Sequence, residues 1–524
     1  MISFLSRALA LLLFVSSANG APCEDRTPGV AHFYGAGWGI DKANQRYQSQ
    51  TSIGAGNARN LALKWSYGFS SRSPRVYPLV SEDTIFIGDG GHGVVALARD
   101  TGCVRWENTD VDDAATAIAH GQIGDRTVLV LSGRNSGVFA LDAITGETLW
   151  HTTIDHDNPV PMYSGSPLIH EDQVFVPLSS LEIGLSANPF YGCCTTSGAM
   201  AALDLATGSL NWYHRTIPDP PERTGSHFVF VDHYGPSGAP VWGAPTLDEK
   251  RRQIYFGTGQ NYSRPASATS DAIIALDIDT GDVAWIMQAT EGDAFNMSCG
   301  GSGGHPNCPD PMGPDVDFGA PPILTTRSDG TDVVLAGQKS GDIWAIHPDT
   351  GRVLWQTRIG RGGALGGVHW GMALNPDEGV LYAPISDVPA IEGPDEPEPG
   401  LFALSIETGK PIWSAPRVKR CEGRGCWPGL SAAITAAPDI VVAGSLDGML
   451  EVYDASTGQL LWSFDGLIDY DTTNALEAQG GSFDSHGPLL AGNQLIAVSG
   501  YGSFRQKPGN ALLVFEVADN AADE

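Results

Sequence analysis

Cysteine, carboxylate and lysine chemistry is concentrated in a few places along this chain. Eight cysteines occur in four suggestive groupings: Cys23 with Cys103, the adjacent Cys193 and Cys194, Cys299 with Cys308 across a Gly/Pro loop, and Cys421 with Cys426 across Glu-Gly-Arg-Gly. Such usage suits an oxidising compartment, although spacing alone leaves the connectivity open. Adjacent cysteines, if oxidised, close a rigid eight-membered ring able to lie over a flat molecule; the plainer alternative is a buried or partner-bonded thiol pair. Neither Cys-x-x-Cys-His nor a zinc-type arrangement of paired Cys-x-x-Cys is present, which argues against covalent haem and structural zinc. Asp293, Asp315 and Asp317 bracket the Cys299 to Cys308 loop, where a carboxylate is either a proton acceptor or a turn residue. Lys339, in Gln338-Lys339-Ser340-Gly341, is one of only seven lysines, so its placement away from an obviously charged surface run is notable.

The elements that must position these groups are repeated. Ala140-Leu141-Asp142 to Trp150 recurs as Ala96 to Trp106, Ala202 to Trp212, Ala275 to Trp285, Ala345 to Trp355, Ala403 to Trp413 and Val452 to Trp462. Each copy carries Thr-Gly before Trp, and the Trp residues are separated by 44, 62, 73, 70, 58 and 49 positions. Each copy reads as a strand, a tight turn with glycine at positive φ, and an outer strand ending in Trp. Further strands upstream, such as Thr84 to Gly88 and Gln253 to Gly257, make four per unit, the pattern of a propeller blade. Leu61 to Trp65 is an outer strand without a blade, and Asn510 to Val517 is an inner strand without its Trp. Paired, they complete an all-β, eight-bladed β-propeller whose N- and C-terminal strands close the ring and leave no open edge.

The chain starts with Arg7, an apolar run from Ala8 to Val15, and small residues up to Gly20, the order of a secretory signal, which predicts residues 1–20 as signal peptide and 21–524 as one propeller domain. No other stretch is apolar enough to span a bilayer, so the expectation is an exported, periplasmic protein without a membrane span. Thirty Lys and Arg against sixty Asp and Glu give a net charge of −30, which disfavours nucleic acid and anionic lipid as partners.

The Ala-Leu-Asp-x-x-Thr-Gly-x-x-x-Trp repeat resembles that of the pyrroloquinoline quinone (PQQ) dehydrogenases, and Tyr34-Gly35-x-x-Trp38-Gly39-x-Asp41-x-x-Asn44-Gln45-Arg46-Tyr47 resembles their N-terminal segment. Ser180-Leu181-Glu182, Tyr191-Gly192-Cys193-Cys194-Thr195, Ala239 to Thr246, Ala336 to Gly341 and Gly363 to Gly371 are most similar to the polyvinyl alcohol dehydrogenases. The resemblance implies a periplasmic alcohol dehydrogenase using PQQ and calcium (Ca2+). Such an enzyme would oxidise secondary hydroxyls of an alcohol or polyol to ketones and pass electrons to a separate acceptor such as a cytochrome c, since the cytochrome segment of some relatives has no counterpart here. The rival readings are a PQQ dehydrogenase for a small alcohol, glycol or sugar, and a non-catalytic scaffold of the outer-membrane assembly type.

Carried onto this sequence, the resemblance implies Glu182 as a metal ligand and Trp242, which lies outside the regular Trp spacing, as the platform on which PQQ stacks. The family's asparagine ligand falls on Gln260, one methylene longer, with Asn261 as the alternative. Lys339 aligns with the cation that contacts the quinone oxygens, where it would stabilise a developing anion. His369 and Trp370 are candidate pocket residues, Cys193 and Cys194 a candidate lid. The usual Trp-Asp appears as Phe295-Asn296, and Asn296 cannot serve as a base. Asp317, which would also ligate the metal, is therefore favoured as the catalytic base, ahead of Asp315 and then Asp293.

Overall fold

The computed structural model describes residues 22–518, except 92, 229, 301–303, 389–396, 421, 424 and 505. The expected signal peptide, Cys421 and the extreme C-terminus lie outside the described residues. Within them, eight antiparallel sheets follow one another around an axis, seven of four strands and one, blade 3, of five because its innermost strand is split into two short pieces. They are blade 1 (79–108), blade 2 (119–152), blade 3 (161–215), blade 4 (246–288), blade 5 (323–358), blade 6 (373–416), blade 7 (435–465) and blade 8. The eighth is composite: Leu61–Gly68 pairs with Ala511–Val517, followed inward by Gln494–Ser499 and Leu489–Ala491. The expected closure by both ends of the chain is thus present.

The repeat now has a physical reason. In blade 2 the Asp142 carboxylate accepts from the amides of Ile144 and Thr145, fixing the turn between the third and fourth strands. A register shift at Ala140/Leu141 follows, and its equivalent occurs in the other repeat copies. The outer-strand indole then donates to a carbonyl of the next blade: Trp106 to Ala143, Trp150 to Leu205, Trp212 to Ile278, Trp285 to Pro348, Trp355 to Ile406 and Trp413 to Ala455. Trp462 to Leu61 and Trp65 to Arg99 close the circuit through the composite blade. The Thr-Gly glycine lies on the ring it receives. Gly281 has φ +74°, and a Cβ there would stand 2.7 Å from Trp212 Cε3. An L-residue meets both a backbone penalty and a clash at that site.

Residues 34–51 run around one end of the axis. Backbone amides of Leu247, Leu324, Leu374 and Ala436, on the innermost strands of blades 4 to 7, donate in turn to Lys42, Ala43, Gln45 and Arg46. Arg46 is fully buried and donates to the carbonyls of Trp38, Ile434 and Pro488 and to the Thr435 hydroxyl. Its guanidinium also lies 4.6 Å from the Trp38 ring centroid. This segment ties the inner strands together and leaves the opposite loops to build the site. No helix among the described residues is long and apolar enough to cross a membrane.

Candidate active site

In a four-stranded meander, the loops joining strands two and three emerge at the same end as the loops leading to the next blade. That alternation gathers the candidate residues. Glu182, Gln260 and Lys339 follow the second strands of blades 3, 4 and 5 (Gln173–Ser180, Gln253–Gly257 and Asp332–Gly337). Trp242, the aspartates at 293, 315 and 317, and the His369-Trp370 pair lie on the crossings into blades 4, 5 and 6.

Asp317 is the focus. Its Oδ2 accepts from Trp242 Nε1 at 3.0 Å and from Lys339 Nζ at 3.3 Å, while Oδ1 accepts from the Gln260 amide at 3.1 Å. Lys339 also donates to Asp315 at 2.9 Å, so one buried ammonium bridges two carboxylates. Burial pulls the lysine down, but Asp315 and Asp317 outweigh it and hold the ammonium above its ordinary range. Burial pushes Asp315 well up, with Lys339 opposing and Asp317 reinforcing the shift. Glycines make this crossing possible: a Cβ on Gly259 would lie 2.9 Å from Asp317 Cγ, and one on Gly319 would overlap the Trp242 ring.

Trp242 keeps a partly open surface, while the Trp370 and His369 rings meet it edge-on at 5.2 and 5.8 Å. His369 Nδ1 lies 2.8 Å from Ser431 Oγ. Burial, then the nearby charges of Lys339 and Arg75, lower its pKa well below the usual histidine range, so the ring is neutral.

Glu182 is fully buried and caged by donors. Tyr191 Oη donates to Oε1 at 2.9 Å, the Thr196 hydroxyl to Oε2 at 2.6 Å, and the amides of Thr195 and Thr196 complete the cradle. The Cys193–Cys194 disulfide is formed, as are Cys23–Cys103 and Cys299–Cys308. The adjacent pair packs with Tyr262, Ile183 and Tyr191 and is clamped by a hairpin, with the Tyr234 amide donating to the Cys193 carbonyl. Tyr262 joins the two halves of the site: burial, then the charges of Asp317 and Glu182, lift its phenol above the ordinary tyrosine range.

The other candidates are placed differently. Asn261 directs its amide to Ser237 and receives the Ser267 amide, whereas Gln260 Oε1 is sealed from solvent without a donor. Asp293 sits behind the crossing and accepts from the amides of Asp315 and Val316. Asn296 bonds Tyr262, Asn307 and Ser298, organising the loop that the Cys299–Cys308 bridge closes.

Sequence reasoning missed Asp271. It is fully buried against Asp293, and neither of its oxygens receives a hydrogen bond. Burial, then Asp293 and Asp317, raise its pKa well above the carboxylate range. It stands at φ +46° at the entry to the strand Ala272–Asp277, and nothing in Ser270-Asp271-Ala272 distinguishes it from an ordinary turn.

A flat, anionic quinone fits these residues on two structural observations: the part-open Trp242 indole and the buried Lys339 ammonium, both held by the Asp317 carboxylate. For a hard cation the observation is Gln260 Oε1, an oxygen sealed without a donor, whereas Glu182 and Asp317 already accept from donors of the protein. A family model described as outer membrane protein assembly factor BamB matches residues 49–270 and 234–368. A polyvinylalcohol dehydrogenase of Pseudomonas sp is 35% identical over 498 residues, covering 92% of this chain and 76% of the relative. Its counterpart in Sphingopyxis sp. (strain 113P3) is 35% identical with the same coverages. The solved quinohemoprotein alcohol dehydrogenase of Comamonas testosteroni superposes with a TM-score of 0.66 at 19% identity, covering 93% of this chain and 82% of that one. The chain belongs to the PQQ-dependent alcohol dehydrogenase family, on the branch of the polyvinyl alcohol dehydrogenases.

Proposed function

We propose that this oxidoreductase acts in the periplasm on secondary hydroxyls of polyvinyl-alcohol-like chains, producing ketones and passing electrons to a separate acceptor such as a cytochrome c. The observation that carries the reading is the convergence of Trp242, Lys339 and the Gln260 amide on the Asp317 carboxylate. Bound PQQ would accept the two electrons, and calcium held by Glu182, Gln260 and Asp317 would polarise it. Asp317 takes the hydroxyl proton of the alcohol. Lys339 sets the orientation of that carboxylate and brings positive charge to the place where negative charge develops. Trp242 supplies the flat apolar platform, the disulfide at Cys193–Cys194 covers it, and neutral His369 and Trp370 wall it off from water. Gln260 is preferred to Asn261 as ligand because its oxygen alone is free.

A carbon chain suits the rim. Phe190, Phe228 and Phe230, on the segments flanking the disulfide, are 65%, 52% and 74% exposed. An apolar rim of this kind favours an extended alkyl backbone over a sugar. The assembly-scaffold alternative accounts for the repeat but not for a buried Asp317–Lys339–Asp315 group on the axis.

The test is reconstitution with PQQ and calcium, followed by dye reduction with polyvinyl alcohol oligomers, short secondary alcohols and sugars. Turnover should rise with chain length among the secondary alcohols, without any haem absorbance. Equal or better turnover of sugars would overturn the substrate reading, and absence of PQQ binding would overturn the cofactor reading.

A further inference from the structure

A single exposed phenylalanine on a loose loop needs no explanation. Phe190 is exposed on a loop that is bolted down on both sides of it. It stands between the short helix Glu182–Leu185 and the Cys193–Cys194 disulfide. Asn307 Nδ2 donates to the carbonyls of Ser186 at 3.0 Å, Asn188 at 3.1 Å and Tyr191 at 3.0 Å. His305 Nε2 donates to the Ala187 carbonyl at 3.1 Å, and His227 Nε2 donates to that of Pro189. The Phe190 amide itself donates to Asn188 Oδ1 at 3.0 Å. Side chains from two other segments thus fix the backbone before and after the ring.

The facing residue is held at a cost. Phe228 lies on the hairpin whose strands Glu222–His227 and Val231–Gly235 pair, and its φ is +49°, a conformation that a bulky side chain adopts only under strain. Its ring does not enter a core; it remains exposed, 5.7 Å from the Phe190 ring centroid. Phe230, two residues on, is exposed as well. The polar side chains below are turned inward: the Asn307 amide serves three carbonyls, and His227 Nδ1 lies 2.6 Å from His233 Nε2. The result is a rigid aromatic ledge with its polar groups engaged beneath it. Such a surface suits an alkyl backbone rather than a sugar, whose hydroxyls call for hydrogen-bond partners.

We propose that Phe190, Phe228 and Phe230 form a second binding site for the substrate, a preorganised ledge that holds a stretch of alkyl chain remote from the hydroxyl being oxidised. The inference rests on the polymer reading above and adds where the chain is held. Ledge and site share one segment: Tyr191, next to Phe190, donates to Glu182, and the disulfide follows two residues on. Because the loop is fixed beforehand, little ordering remains to oppose binding. A short alcohol fills the reacting site without reaching the ledge, whereas a long chain occupies both.

The test is equilibrium dialysis of a fluorescently labelled vinyl alcohol oligomer, and of a dextran of similar length, against the wild type, Phe190→Gln and Phe228→Asn. It is run with and without PQQ and calcium, alongside kcat/KM for the oligomer and for isopropanol in the loaded proteins. Each substitution should weaken oligomer binding about 10-fold, the worth of covering one aromatic side chain. The ratio of oligomer to isopropanol kcat/KM should fall by a similar factor. Phe228→Asn should melt no lower than the wild type, because asparagine accepts the left-handed backbone, so its loss of binding is not a loss of fold. Unchanged affinity and ratio in both variants would overturn the proposal, and so would dextran binding as tightly as the oligomer. Unchanged affinity with an altered oligomeric state would make the ledge an interface between copies. Unchanged affinity with slower reduction of a cytochrome c, but not of a dye, would make it a docking face for the acceptor; either result overturns the proposal. A wild type that oxidises isopropanol without binding the oligomer would overturn the ledge alone. One that binds the oligomer but oxidises no alcohol would support the ledge and overturn the functional reading.

Discussion

The outer ring of tryptophans and the axial cluster are built from opposite solutions to one problem. On the rim, each indole N–H meets a carbonyl of the following blade, and each Thr-Gly turn presses against the ring before it. Each of these indole donors is answered by the protein. On the axis, Gln260 Oε1, both oxygens of Asp271, Arg75 Nε and Trp370 Nε1 are shielded and unanswered. Buried polar groups are normally paired, so the sealed atoms among the candidate site residues are where the ligands proposed above would supply the missing partners. On the proposal above, the rim supplies stability and the axis supplies the site.

The comparison makes stability changes on the rim the largest. Gly281→Ala combines left-handed backbone with a methyl placed 2.7 Å from Trp212, whereas Gly292→Ala has the same φ, +75°, with nothing within 4 Å. The first should cost about 2–4 kcal/mol, from backbone strain plus overpacking, and the second about 1 kcal/mol. Chemical denaturation midpoints would measure both. Equal shifts would show that the inter-blade contact contributes little and that backbone conformation alone explains the repeated glycine.

On the axis, a substitution should do the reverse. Asp271→Asn retains the shape, tolerates φ +46°, and cannot ionise. In the wild type the folded carboxyl keeps its proton to higher pH than the unfolded one, so stability falls as pH rises from about 4 toward the raised folded value. The variant has no such slope. Melts should show the two proteins alike near pH 4 and Asp271→Asn more stable by about 1–3 kcal/mol at pH 8, the scale of an unsatisfied buried group. A gain independent of pH would mean that the carboxyl is not protonated in the fold.

What was legible in the sequence follows the same division. The Ala-Leu-Asp-x-x-Thr-Gly-x-x-x-Trp repeat was readable because its parts contact the adjacent blade in the same way each time, so one explanation serves seven copies. The composite blade was visible because Leu61 to Trp65 and Asn510 to Val517 were each half of a unit. The axial groups come one per blade and share no period. The order of Asp293, Asp315 and Asp317 depended on which side of the Cys299–Cys308 loop the crossing resumed, and only the three-dimensional path puts Asp293 behind the amides of Asp315 and Val316. The choice between Gln260 and Asn261 turned on side-chain direction, which neighbouring residues on a strand end do not disclose. Asp271 and Arg75 carried no sequence signal, being single residues whose distinction is a sealed side-chain atom without a partner.

The central claim is that the axial constellation is a catalytic site with Asp317 as its base. Its most direct measurement is PQQ affinity and steady-state turnover of a secondary alcohol side by side for Asp317→Asn and Asp293→Asn. Asp317→Asn should retain PQQ, since the Trp242 platform and Lys339 remain, while turnover falls about 10²–10⁴-fold, the usual worth of a general base. Asp293→Asn keeps one acceptor for the backbone amides it holds and should lose much less. Near-normal turnover in Asp317→Asn together with a collapse in Asp293→Asn would contradict the account and move the base to the other side of the disulfide loop.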